Sequence, residues 1–241
     1  MPSDTIKLND KKNVRIIAHR GLSGIERQNT NSAFIAAANR SYFGIETDIH
    51  VTKDEKFAVI HDDSTGGVCS KSIPVEKSTF SMLSSLILKN TDSTIRSDLR
   101  IPQLCEYISI CKKYGKAAVL EIKNLFEEKH LKKVVKIIKS LDYLDGVIFI
   151  SFCRSNVVIL RKLLPKAQIQ YLFSKLEEGI FDFLKEHHLD ADVFHDVATP
   201  EFVNKVHSFG QKVNVWTVDN PDIAKHLIDV GVDYITSNIL E

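Results

Sequence analysis

The chain has 241 residues, 44% hydrophobic and 26% charged, a composition that excludes disorder and can bury a core without disulfides. Lysine and arginine number 32 against 31 aspartate and glutamate, a net charge of +1, so no basic surplus points to nucleic acid. Apolar runs such as 147–150 are far short of the roughly 20 residues that span a bilayer. In chain order, the polar start up to Val14 lacks a signal-peptide core, and Cys69, Cys105, Cys111 and Cys153 show neither CxxC nor zinc-finger spacing. Together these predict a cytoplasmic protein with reduced thiols and no membrane span.

Short β-rich runs then alternate with amphipathic stretches of helical period. Strands are expected at 14–18, 45–49, 117–122, 147–150, 169–173, 191–194, 213–217 and 234–236, and helices at 31–40, 103–114, 128–141, 155–164, 176–188, 201–209 and 222–230. Thr199-Pro200 and Asn220-Pro221 read as helix starts, and Gly210 and Gly231 fall where helix ends favour glycine. Eight such strands in one domain, 1–241, predict a (β/α)8 TIM barrel. A doubly wound sheet is the alternative, but no Gly-rich turn follows the first strand.

Two segments break the alternation. A ninth strand-like run, 57–60, follows the second strand too closely for a parallel crossover, so it is expected to return as a hairpin. Pairing Val51 with Val59 and Ile49 with His61 brings His61 to the rim beside Asp48. Residues 62–100 then form a small Ser/Thr-rich insertion over the barrel top, with one short helix at 80–88. At the other end only residues 237–241 follow the last expected strand, so the final helix is expected to be shortened. The seam there falls to residues 1–13 or to a second subunit of a homo-oligomer.

Barrel chemistry collects at the C-terminal ends of the strands. Glu46 and Asp48 are two apart on one strand and share a face with His50; Glu121 and Lys123 do so on the next. Glu46, Asp48 and Glu121 would make an all-carboxylate site suited to a divalent metal, Mg²⁺ or Ca²⁺. His19 and His61 approach it as an acid/base pair, while Arg20 and Lys123 supply charge that holds a phosphate. His50 faces the hairpin and reads as structural.

The stretches AHRGLSGIERQNTNSAF, GIETDIHVTKDEKFAVIHDDS, RIPQLCEYI, AVLEIK and VNVWTVDN resemble the glycerophosphodiester phosphodiesterase family, in order, from residue 17 to residue 237. The resemblance implies a barrel with an insertion after the second strand. It also implies metal ligands Glu46, Asp48 and Glu121, general acid and base His19 and His61, phosphate contacts Arg20 and Lys123, and Trp216 as a wall for the glycerol. The implied reaction is metal-dependent hydrolysis of a small glycerophosphodiester to sn-glycerol 3-phosphate and an alcohol, the substrate's own hydroxyl attacking phosphorus to give a cyclic phosphate. A lysophospholipase D or a phosphodiester lyase would use the same residues, and a non-catalytic binding protein would have no need of both histidines. Arg27-Gln28-Asn29-Thr30 departs from the family's usual Pro-Glu-Asn-Thr, removing one negative charge near Arg20.

Overall fold

A computed structural model describes residues 4–92 and 94–241. Its elements in order are β1 (Arg15–Ala18), α1 (Asn31–Ala38), β2 (Gly44–Val51), β3 (Phe57–Val59), α2 (Phe80–Ser84), α3 (Leu104–Tyr114), β4 (Ala117–Ile122), α4 (Glu128–Ser140), β5 (Val147–Ser151), α5 (Arg154–Leu163), β6 (Gln168–Phe173), α6 (Ile180–Glu186), β7 (Asp190–Phe194), α7 (Pro200–His207), β8 (Val213–Trp216), α8 (Pro221–Val230) and β9 (Tyr234–Ser237). All of these strands but β3 pair in parallel, and β1 pairs with both β2 and β9, which closes the barrel.

Local chemistry sets the helix boundaries. Thr30, Thr199 and Asn220 cap α1, α7 and α8 through their side chains, and proline begins the latter two. Gln103 and Glu106 form a reciprocal capping box on α3, and Gly115 ends it at φ 63°. The apolar faces of the helices close over the outer face of the strands, where Phe34, Tyr107, Leu131, Leu160, Leu184 and Leu227 lie in one continuous core.

Four expectations need correction. The hairpin pairs Ile49 with Val59 and Val51 with Phe57, two residues from the expected register. Thr52 explains the shift: its N–H donates to Lys56 O at 2.8 Å, and its hydroxyl bonds Asp54, so the turn closes one residue earlier. The expected helix 176–188 is confined to α6, because Gly179 sits at φ 73° immediately before it. The helix expected at 80–88 ends at Ser84. Finally, among the described residues no helix follows β9. Leu240 instead bridges Ile6, with Ile6 N–H to Ile239 O at 3.1 Å and Leu8 N–H to Glu241 O at 2.8 Å, so the chain's own N-terminal segment meets the seam.

The segment between β3 and α3 has its own small apolar cluster, including Ile60, Val68, Val75, Leu83 and Leu99. Arg27 donates to the carbonyls of Lys89 and Asn90, and Arg96 pairs with Glu26 at 2.7 Å, tying this segment to the loop after β1. It therefore borders the same rim as the ends of β1, β2 and β4.

Candidate active site

Three carboxylates converge at that rim. Glu46 and Asp48 come from β2 and Glu121 from β4, with Asp48 and Glu121 directly opposite in the ladder. One oxygen from each lies within 4.8 Å of the others, and all three residues are buried. Such a group is costly unless compensated, because burial and mutual repulsion both oppose ionisation. Burial and Asp48 hold Glu46 well above the ordinary glutamate range, and the same causes push Glu121 up to about 8. Asp48 goes the other way. Burial works to raise it, but Arg20, Lys123 and His61 outweigh burial and keep it ionised.

The cations stand close by. Lys123 Nζ is 2.9 Å from Glu121 Oε1 and 3.7 Å from Asp48 Oδ1. Arg20 Nε lies 3.4 Å from Asp48 Oδ2, and its guanidinium also donates to Gln28 Oε1 at 2.9 Å. Gln28 thus keeps the hydrogen bond although it lacks a carboxylate charge. The turn that aims Arg20 requires left-handed backbone at φ 54°, followed by Gly21 at φ 77°. A Cβ on Gly21 would come within 2.7 Å of Ala33, so glycine is needed there. The turn also lets Arg20 N–H donate to Glu46 Oε2 at 2.9 Å.

His19 and His61 face this group from two sides. His19 Nδ1 meets Asn238 Oδ1 at 2.8 Å, and Asn238 Nδ2 donates to Asp219 at 2.6 Å, which orients the amide so that Nδ1–H is the donor. The ring's Nε2 is 3.9 Å from Glu46 Oε2. Burial, aided by Arg20, lowers His19 to about 4, so this contact joins a neutral imidazole to Glu46 rather than an ion pair. His61 Nδ1 contacts Asp62 Oδ1 at 2.7 Å. Ile60 N–H donates to Asp48 O at 3.1 Å, so His61 does arrive beside Asp48 despite the shifted register.

A cavity of about 170 Å³ takes in His19, Arg20, Glu46, His61, Glu121 and Trp216. Asp48 lies behind this lining and Lys123 outside it, both in contact with it through Glu121. Trp216 packs edge-on against Phe152 and Phe194, with ring centres 5.6 and 5.8 Å away, forming an aromatic wall. A larger cavity of about 840 Å³ opens at the other end of the barrel, among Arg15, Phe43, Tyr143 and Gln168. It holds no acidic cluster, and barrel enzymes do not place chemistry at that end.

His50 is buried away from the cavity, with Nδ1 3.2 Å from Glu76 and Nε2 3.0 Å from the His61 carbonyl. Sequence reasoning assigned no role to Asn29, whose buried amide donates to Asp48 Oδ2 at 2.8 Å and accepts from Thr47 at 2.7 Å. Nor did it single out Asn238 or Phe152. The carboxylates fit a hard divalent cation: the donors are all oxygen, and Asp48 Oδ1 is buried without a hydrogen-bond partner.

The pattern of the glycerophosphoryl diester phosphodiesterase family matches residues 19–240. A glycerophosphodiester phosphodiesterase of Caldanaerobacter subterraneus is 28% identical over 231 residues, covering 92% of this chain and 93% of the relative. The crystal structure of a glycerophosphodiester phosphodiesterase from Parabacteroides distasonis superposes with a TM-score of 0.82 at 27% identity, covering 95% of this chain and 94% of the other. An Oleispira antarctica phosphodiesterase, solved in complex with its product sn-glycerol-3-phosphate, shares the fold with a TM-score of 0.85 at 23% identity, over 93% and 92% of the two chains.

Proposed function

The chain belongs to the glycerophosphoryl diester phosphodiesterase family, and from that premise we propose that it hydrolyses small glycerophosphodiesters to sn-glycerol 3-phosphate and an alcohol. One observation carries the reading furthest: two histidines, an arginine, Glu46 and Glu121 line one cavity at the C-terminal end of the barrel, with Asp48 buried behind them within reach of both carboxylates. Glu46, Asp48 and Glu121 would hold the divalent cation, Mg²⁺ or Ca²⁺. When bound, that cation supplies charge neutralisation at the phosphate and acidifies a nearby hydroxyl.

The chain's own residues perform the rest. Arg20 presents its guanidinium, and Lys123 its ammonium, to the phosphodiester oxygens. The neutral His19 ring, with Nδ1–H committed to Asn238, keeps a free lone pair on Nε2 and serves as the base that takes the glycerol hydroxyl proton. That hydroxyl closes on phosphorus to give a five-membered cyclic phosphate. His61, when protonated, donates Nδ1–H to Asp62 and gives the proton on Nε2 to the leaving alcohol. The two roles reverse as water opens the ring. Trp216 and Phe152 cover the carbon skeleton and keep bulk water from the reacting atoms.

No helix among the described residues is long and apolar enough to cross a membrane. A cytoplasmic setting is the one that suits four unpaired cysteines. The reading is tested by incubating the protein with glycerophosphocholine, glycerophosphoethanolamine and glycerophosphoglycerol, in chelator and with added Mg²⁺ or Ca²⁺. Release of glycerol 3-phosphate that depends on the ion is expected. No release from any substrate with either ion would overturn the reading.

A further inference from the structure

The barrel interior beside the cavity departs from the usual one, which layers of branched aliphatic side chains fill. Four consecutive strands contribute polar groups instead: Gln170 from β6, Asp192 from β7, Asn214 from β8 and Thr236 from β9, all buried. Three of them are joined in a line. Thr236 Oγ1 donates to Asn214 Oδ1 at 3.2 Å, and Asn214 Nδ2 donates to Gln170 Oε1 at 3.3 Å. Asp192 stands beside that line, 1% exposed, and its Oδ1 has no hydrogen-bond partner. With Thr236 it lines the same cavity as Glu46, Glu121 and Trp216. A buried oxygen left unpaired is a standing cost to the fold that a ligand's hydrogen bond would relieve. The proposed reaction leaves Asp192 unused, since it lies outside the group formed by Glu46, Asp48 and Glu121.

We propose that Asp192 receives the terminal hydroxyl of the glycerol moiety, so that the cavity selects phosphodiesters of glycerol over those of a diol. This rests on the glycerophosphodiester reading and adds a specificity determinant to it. The hydroxyl that attacks phosphorus must face His19 and the carboxylates, while the leaving alcohol must find the open mouth. The remaining end of the glycerol then points to the barrel interior, where Asp192 is the polar group with an unspent oxygen. A hydroxyl both donates and accepts. Burial holds the Asp192 carboxyl well above the ordinary aspartate range, so as a neutral acid it does the same.

The test compares kcat/KM for glycerophosphocholine with that for its analogue built on propane-1,2-diol, which keeps the attacking hydroxyl and lacks the terminal one. A site built around a hydroxyl discriminates strongly against its absence, so the wild type should prefer glycerophosphocholine by at least about tenfold. Asp192→Val, which restores an ordinary barrel side chain of similar size, should reduce the preference to below about threefold. Asp192→Asn keeps a donor and an acceptor and should retain most of it. Equal wild-type rates on both substrates would overturn the subsite while leaving the phosphodiesterase reading intact. A full preference surviving in Asp192→Val would do the same, and cleavage of neither substrate by the wild type would overturn both.

Discussion

Glu121 makes the metal-free protein sensitive to alkali in a way that can be calculated. Its carboxyl is buried, 7% exposed, and burial with Asp48 pushes it up to about 8 from the ordinary 4.5. The unfolded chain therefore gives up this proton more readily than the folded one. The group's stabilising contribution is whole below about pH 4.5, is lost progressively as pH rises, and is gone above about 8. His19 opposes this at the acid end. Its folded value of about 4 lies below the ordinary 6.5, so its contribution grows from pH 4 and is complete by 6.5. Between pH 6.5 and 8 Glu121 acts without that opposition. About one and a half units at about 1.4 kcal/mol each, less the part not yet ionised at pH 8, leaves about 2 kcal/mol. For a protein of this size the melting temperature should fall by roughly 5 °C. Thermal melts in chelator at half-unit pH steps give the slope directly. Saturating Mg²⁺ or Ca²⁺ should reduce it, because a bound cation keeps the carboxylate ionised in the folded state. Glu121→Gln should reduce it in chelator, leaving the slope due to Glu46 and Asp192, which burial also holds above their ordinary range. A level wild-type profile across this window, or a slope in Glu121→Gln as steep as the wild type's, would refute the reasoning.

Turnover should disappear in chelator while the far-ultraviolet circular dichroism stays native, since the barrel does not depend on the ion; activity undiminished by chelation would remove the three-carboxylate site. His19→Ala and His61→Ala should each lose about 10²–10⁴ in kcat, the usual contribution of a general acid or base, whereas His50→Ala should lose far less, and a loss equal to that of His61→Ala would move His50 into the chemistry. Asn29→Leu should destabilise the fold by about 1–3 kcal/mol in denaturant titration, because Asp48 Oδ2 and the Thr47 hydroxyl both lose a buried partner. The analogue of glycerophosphocholine lacking the 2-hydroxyl should bind and resist cleavage, since an internal nucleophile has an effective molarity that outside water lacks; equal rates for the two substrates would make water the direct nucleophile.

The fold was legible where the hydrophobic period was clear. Glu46 and Asp48 could be placed on one face because a strand alternates with period two, and Glu121 because its neighbouring strand has the same run of apolar residues. The hairpin register was not legible, since Thr52 decides it through bonds to Asp54 and Lys56 that strand alternation does not encode. A slip of two residues keeps every side chain on its own face, which is why His61 still reached the rim. Asn29 and Asn238 were missed for another reason. Their bonds, to Asp48 and to His19, cross 19 and 219 residues of sequence and leave no local pattern. Asp192 did leave a signal: a carboxylate facing inward on a buried parallel strand is expensive and asks for an explanation.

The same charges that burden the fold suit the proposed reaction. Glu46, Asp48 and Glu121, when ionised, carry three negative charges, while Arg20 and Lys123 carry two positive ones and His19 stays neutral. Without a cation the upward shifts of Glu46 and Glu121 leave those two carboxyls protonated at neutral pH, so Arg20 and Lys123 outweigh Asp48 and the site has a net charge of +1. A divalent ion held by the three carboxylates would displace the two protons and leave the site at +1, matching a substrate of charge −1. Ion binding is thus coupled to proton release, so the apparent affinity for the ion should rise with pH. Hydrolysis converts the diester to a monoester bearing about −1.5 to −2 charges at neutral pH. The product then exceeds the site's charge, and in a cavity with buried carboxylates that excess favours its departure. Selection of a monoanion and release of a dianion follow from one balance of charges, which explains why the barrel keeps three acids and two bases together where an apolar layer would be more stable.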